Sequence, residues 1–174
     1  MIQTEHLTIR RMEADDWKAI REIWAAVAGT WAAQYDTPND LSDEAAEQRI
    51  RRWALFGRSR EHRFYAVCLG EQVIGYYALH LREDTYELGY CFHPAFHGKG
   101  LAREGLAAVL DEMAPLKQEG ITGIEAGTAL ANTPSVRLLL SLGFRQTGTE
   151  KVSFYKDEEG RDIVFDGGRF LLAW

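Results

Sequence analysis

The chain has 174 residues, 46% of them hydrophobic and 26% charged, with a formal net charge of −6. That length suits a single domain, 1–174, able to bury its own core. The acidic balance, with a pI near 5.4, argues against nucleic acid or an anionic membrane as partner. No apolar run reaches the ~18 residues that span a bilayer. Two cysteines, Cys68 and Cys91, exclude a disulfide framework and a multi-cysteine zinc site. Met1 to His6 carries no signal-peptide pattern, so a cytoplasmic location is expected.

Leu7 to Met12 alternates apolar and polar residues and predicts a half-buried strand. Trp17, Ile20, Ile23, Trp24 and Val27 recur at helical spacing behind the acidic turn Asp15-Asp16. Gly29 to Asn39 reads as a loop, and Ser42 as the N-cap of a second helix bearing Ile50, Trp53 and Leu55. Phe64–Leu69 and Val73–Leu81 predict two strands joined by the hairpin signal Gly70-Glu71. Tyr86–Phe92 is a third strand of this group, ended by His93-Pro94. A glycine-bearing turn at 97–100 leads into a helix with Leu106, Val109, Leu110 and Met113 on one face, closed by Pro115 and Gly120. Ile121–Thr128 is a strand. Thr133-Pro134 then opens a helix, with Thr133 as cap, and Gly143 ends it. Two strand-like runs, 145–156 and 162–173, close the chain.

The order β-α-α-β-β-β-α-β-α-β-β predicts an α/β (α+β) fold with one mixed sheet of about seven strands and about four helices on its two faces. The strand–helix–strand unit from Tyr86 to Thr128 supplies a parallel pair, and the flanking hairpins are antiparallel.

The stretch from Tyr86 through Leu106 carries the chemistry. A strand runs into His97-Gly98-Lys99-Gly100 and then into a helix N-terminus. Such a turn offers backbone N–H groups and the positive end of a helix dipole to a phosphate. Neither a Walker loop nor a complete G-x-G-x-x-G is present. On its own, the pair of glycines reads equally well as a simple turn.

With its surroundings the segment resembles the GCN5-related N-acetyltransferase (GNAT) superfamily, whose acetyl-CoA signature R/Q-x-x-G-x-G/A is matched by His97-Gly98-Lys99-Gly100-Leu101-Ala102, with His97 a departure from the usual Arg or Gln. A second block, Asn132 through Ser135 and Arg137 to Gly143-Phe144, is similar to the N-x-x-S-x-R/K-x-x-x-x-x-G-F of the RimJ/RimL-like branch that acetylates ribosomal-protein N-termini. The resemblance implies a GNAT-like sheet whose parallel pair splays at the cofactor, and direct attack of a primary amine on acetyl-CoA without a metal. It also implies cofactor contacts from Phe92, His93, His97, Gly98, Lys99, Gly100, Leu101, Ala102, Arg103, Asn132, Ser135 and Arg137.

Within that reading, Glu87 is the candidate base, acting through water, and also a candidate substrate contact; its plain alternative is an exposed strand residue paired with a cation. Many family members place a Tyr four residues before the helix-ending Gly as the acid for the leaving thiolate. Here that position is Leu139, which leaves Ser135 as the hydroxyl donor. Ser135 reads also as a first-turn helix serine. Cys91 reads as a buried, inert strand cysteine. Trp31 and Tyr35 are the substrate-contact candidates, Trp24 and Trp53 are core, and Asp36 and Asp40 are open to a cationic acceptor or to turn formation. The acceptor alternatives are a protein N-terminal α-amine, a polyamine, or the amine of a small molecule such as an antibiotic. A non-catalytic acetyl-CoA sensor and a nucleotide-binding α/β protein are the alternatives of other classes. The apolar end Arg169–Trp174 is a candidate to pair or pack across a homodimer.

Overall fold

The computed structural model describes residues Met1–Trp174. Eight strands, not about seven, form one sheet in the order β1-β2-β3-β4-β5-β6-β8-β7. They are β1 (Ile2–Gln3), β2 (Thr8–Arg11), β3 (His62–Leu69), β4 (Gln72–Arg82), β5 (Thr85–Phe92), β6 (Gly123–Ala129), β7 (Arg145–Lys156) and β8 (Asp162–Ala173). The unanticipated strand is the two-residue β1, too short to show any alternation. The helices are α1 (Trp17–Ala28), α2 (Asp43–Phe56), α3 (Leu101–Met113) and α4 (Thr133–Ser141). No helix is long and apolar enough to cross a membrane.

Strand alternation sorts the core into two layers. Tyr65 and Val67 of β3, Tyr77 and Leu79 of β4, and Tyr86 and Leu88 of β5 pack with Leu106, Val109, Leu110 and Met113 of α3 and Leu139 of α4. The opposite face carries Phe64, Ala66, Cys68 and Ala78 under Ile20, Ile23 and Trp24 of α1 and Ile50 of α2. The sheet therefore has a face covered by α3 and α4 and a face covered by α1 and α2.

Helix ends follow local chemistry, with two departures. Ser42 caps α2 as its sequence suggests, its Oγ accepting from the Ala45 N–H at 3.4 Å. Asp15-Asp16 lies in a separate 3₁₀ turn, Ala14–Asp16, ahead of α1. At α4 the N-cap is Asn132, not Thr133, which occupies the first helical position. The end of α4 is a Schellman motif: Phe144 N–H bonds the Leu139 carbonyl at 3.2 Å and Gly143 N–H that of Leu140 at 3.1 Å. At Gly105 on α3 an added Cβ would lie 2.7 Å from the Tyr77 hydroxyl, so glycine lets the helix press against β4. That hydroxyl donates to the Ala102 carbonyl at 2.8 Å and ties the first turn of α3 to the sheet.

The C-terminal run lies in β8, which is paired on one side with β6 and on the other with β7. Within that run Arg169–Leu171 is paired on both sides, whereas Leu172 and Ala173 are paired with β6 alone; the edge strand on that side is β7.

Candidate active site

The parallel ladder between β5 and β6 runs only from Thr85↔Gly123 to Leu88↔Ala126. Beyond it, β5 continues to Phe92 along β4, and β6 continues to Ala129 along β8. The two strands separate and leave a slot edged by unpaired backbone. His93 N–H bonds the Ile74 carbonyl on β4 at 2.9 Å. Successive peptide groups of a strand point to opposite sides, so those of Tyr90 and Phe92 face the slot and that of His93 does not. The His93 ring is also engaged, its Nδ1 accepting from Ala95 N–H at 3.2 Å.

At the mouth of the slot the chain turns into α3. Gly98 (φ 73°) and Gly100 (φ 78°) are both in the left-handed region. A Cβ at either would meet nothing within 4 Å, so the space above both is open. Gly100 is the N-cap of α3 and no side chain caps the helix. The N–H groups of Leu101, Ala102 and Arg103 therefore lack intrahelical acceptors. His97 folds back, its Nε2–H donating to the Phe92 carbonyl at 2.8 Å. Lys99, Arg103 and Arg137 are exposed and form no ion pair. Lys99 Nζ lies 5.3 Å over the Phe96 ring. An open glycine turn, uncapped amides and free cations fit a diphosphate, and the unpaired slot edge fits an amide-bearing arm. Asn132 makes no side-chain cap bond at the start of α4, so its amide is free.

The one carboxylate in the first turn of α3, Glu104, is turned away from the glycine turn. It accepts from Thr4 Oγ1 and from His6 N–H, and pairs with His6 Nδ1 at 2.9 Å. The hydrogen bond and charge of Glu104 raise the His6 pKa above its usual 6.5. The bonds from Thr4 and His6 hold Glu104 below the usual carboxylate range, against its desolvation. The His6 contribution is complete below pH 6.5 and is lost as pH rises through the raised folded value. The Glu104 contribution is present above its ordinary value and is lost as pH falls through the lowered one. An NMR titration is expected to place the His6 pKa above 6.5 and to lower it in Glu104→Gln. An unchanged His6 titration in that variant would remove the pair as the cause.

The slot is bridged on the α3/α4 face by a contact that sequence reading did not reveal. Tyr90 of β5 and Ser135 in the first turn of α4 are joined by a 2.6 Å hydrogen bond between their hydroxyls. Burial pushes the Tyr90 phenol up to about 12, against the Ser135 hydrogen bond. Leu139, one turn along α4, is fully buried in the core. Period-two alternation separates Tyr90 from Glu87 and was the available signal, but the partner across the slot was not legible.

Glu87 lies on the α1/α2 face, with His80 beside it on β4 and Glu125 beside it on β6. Glu125 is a second carboxylate of this row that the sequence did not single out. Arg82 Nε meets Glu87 Oε2 at 2.9 Å, with both side chains more than half exposed. Cys91 follows on the same face; burial pushes its thiol up to about 12, so it is no nucleophile near neutral pH. Asp36, midway along the α1–α2 loop, interacts electrostatically with Cys91, and desolvation of its carboxyl raises its pKa. Asp40 is a turn residue instead, accepting from Ser42 N–H at 2.9 Å.

The α1–α2 loop contains a 3₁₀ turn, Trp31–Tyr35. Trp31 is 56% exposed. Its ring meets Tyr35 edge-on at 5.7 Å, and Tyr35 meets Phe165 of β8 at 5.2 Å. The pair forms a rim between this loop and the β7–β8 hairpin, on the same side of the sheet as Glu87. Trp24 and Trp53 sit deeper, edge to face at 6.0 Å, and Trp53 stacks on Phe64 at 4.7 Å. No group of three or more His, Cys, Asp or Glu side chains is arranged to hold a metal ion.

The family model described as acetyltransferase (GNAT) domain matches residues 6–145 of this chain. Over 168 residues the chain is 27% identical to the "uncharacterized N-acetyltransferase" YnaD of Bacillus subtilis strain 168, covering 94% of each protein. Its fold is shared by the Salmonella typhimurium acetyltransferase that modifies the N-terminal serine of ribosomal protein L7/L12, with a TM-score of 0.82 at 16% identity over 98% of this chain and 96% of that one. A chimeric spermidine N-acetyltransferase from Vibrio cholerae and hSSAT superposes with a TM-score of 0.76 at 21% identity, over 97% and 96% of the two chains.

Proposed function

The chain belongs to the GNAT acetyltransferase family, and from that premise we propose that it transfers an acetyl group from acetyl-CoA to the α-amine at a protein or peptide N-terminus, as a single cytoplasmic domain. The observation that carries this reading is the slot beyond Leu88 and Ala126, with a phosphate-ready helix start at its mouth and carboxylates on its other face. Both cysteines are free, which suits a reducing compartment.

Acetyl-CoA supplies a thioester whose acyl group is open to an amine. The amides of Leu101, Ala102 and Arg103 hold its diphosphate, with Lys99, Arg103 and Arg137 adding charge. The N–H of Phe92, whose carbonyl is taken by His97, and the Asn132 side chain bind the amide arm in the slot. Ser135 faces the sulfur, which has no tyrosine from α4 because Leu139 stands there. Glu87 takes the proton of the incoming amine through water, and the Trp31–Tyr35 rim borders the acceptor. The family reading implies direct attack in a ternary complex, and the Cys91 thiol, held protonated by burial, offers no nucleophile for an acyl-enzyme.

Charge on the acceptor face favours one amine over a polyamine. Glu87 and Glu125, neighbours in the β5–β6 register, can receive the cation of the acceptor amine. Beside them lies a cavity of about 240 Å³ lined by Arg49, Arg52, His62 and His80 and by no carboxylate. A second ammonium reaching that cavity meets like charge, whereas a peptide backbone or an acidic side chain does not.

The test is an acceptor panel read by thiol release from acetyl-CoA. Peptides with a free N-terminus are expected to turn over, and the same peptides with a blocked N-terminus are not. Spermidine as the better substrate would overturn the acceptor assignment. Coenzyme A binding with no thiol release on any amine would turn the reading to a sensor.

A further inference from the structure

We propose that Tyr90 arms Ser135: the phenol donates its proton to the serine oxygen and so turns the serine's own hydroxyl proton into the slot, toward the sulfur of the bound thioester. The inference rests on the acetyltransferase reading above for the identity of the sulfur. It rests on geometry for the rest.

Tyr90 and Ser135 belong to elements on opposite sides of the slot, and their hydroxyl oxygens lie 2.6 Å apart. One of the two must be the donor. A phenol with an ordinary pKa of about 10 is a far stronger acid than an aliphatic alcohol, so the tyrosine donates and the serine accepts. Burial keeps the phenol protonated over the working range. The one other titratable group that couples to it, Tyr77 of β4, is held protonated by burial as well. Ser135 makes no other side-chain hydrogen bond. It makes no side-chain bond to the backbone of α4, the alternative role of a first-turn serine. Its O–H is therefore a donor without an acceptor, fixed at the edge of the slot.

In the reaction the amine nitrogen bonds to the acetyl carbon and the carbon–sulfur bond breaks, its electron pair going to sulfur. The amine's proton leaves through Glu87 to solvent. Ser135 donates a hydrogen bond to the departing sulfur, which takes its proton from solvent. Tyr90 touches neither reactant; it is a positioning residue that acts through Ser135.

Tyr90→Phe removes the hydroxyl and keeps the ring. It is expected to lower kcat about tenfold, the worth of one polarising hydrogen bond, with KM for acetyl-CoA unchanged. Ser135→Ala is expected to lower kcat about a hundredfold. The double variant should be no slower than Ser135→Ala, because Tyr90 has nothing left to orient. In Ser135→Thr, which keeps a hydroxyl, the dependence on Tyr90 should persist.

A second readout needs no turnover. Calorimetric binding of coenzyme A should tighten about tenfold as pH rises through the thiol titration, since an oriented donor favours the thiolate. That tightening should vanish in both Tyr90→Phe and Ser135→Ala. Wild-type kcat together with wild-type pH dependence of coenzyme A binding in Tyr90→Phe would overturn the proposal, as would additive losses in the double variant. If the wild type transfers acetyl to no amine, the activity reading fails separately. The binding experiment then still reports on the pair.

Discussion

Glu87→Gln is expected to lower kcat/KM by about a hundredfold or more at neutral pH, the range of a lost general base, with melting temperature unchanged. An α-amine with a pKa near 8 is about nine-tenths protonated at pH 7 and cannot attack in that form. Glu87 is the carboxylate of β5 on the acceptor face, two residues before the slot opens. Its ion pair with Arg82 joins two side chains that are 64% and 54% exposed, so it constrains the carboxylate little. The sign of the pH dependence follows from the amine. As pH rises past about 8 the acceptor is already neutral, and the deficit of the variant should shrink. A kcat/KM indistinguishable from wild type across about pH 6 to 9 would exclude Glu87 as the base. Glu125→Gln is the matched control, since Glu125 stands beside Glu87 in the parallel register. A larger loss there would move the role to β6.

The double variant Gly98→Ala, Gly100→Ala is expected to weaken coenzyme A binding tenfold or more. Both residues have positive φ, at 73° and 78°. An L-residue there costs about 1–2 kcal/mol each, and relief of that strain rotates the peptide groups that open α3. Neither new Cβ meets a protein atom. The damage is therefore expected in the ligand site and as a fall of several degrees in melting temperature, not as unfolding. The added methyl groups also enter the open space above the turn, where a diphosphate must approach the backbone closely. Calorimetry with coenzyme A decides it: wild-type affinity in the double variant would mean that the turn is not the phosphate site.

Much of the site's frame is local and was legible for that reason. The glycine turn, the start of α3 and the Schellman end of α4 are set by residues within a few positions of one another, so their conformations follow from residue type. The assignment of Trp24 and Trp53 to the core follows from helical spacing in the same way. Element types failed where a segment was too short to show a period, as in β1 and the 3₁₀ turns Ala14–Asp16 and Trp31–Tyr35, or where a cap could be supplied by either of two neighbours, as at Asn132 and Thr133.

Partners across the sheet were not legible. Tyr90 and Ser135 are 45 residues apart and meet at 2.6 Å. Glu87 and Glu125 become neighbours only through the parallel register of β5 and β6. The sequence could pair the last two strands as a hairpin, but not say which of them adds to β6. Placing β8 there pairs Arg169–Leu171 on both sides and leaves only the last residues of the apolar C-terminal run with one strand neighbour. The amino-acid sequence by itself thus determined the order and kind of elements, the family resemblance and the shape of the phosphate-ready turn, because short-range sterics and hydrogen bonding decide these. Only the tertiary structure decided which hydroxyls and carboxylates share the slot. A strand's neighbours are chosen by the burial of whole faces, and a shift of one residue in register would send each of these side chains to the other side.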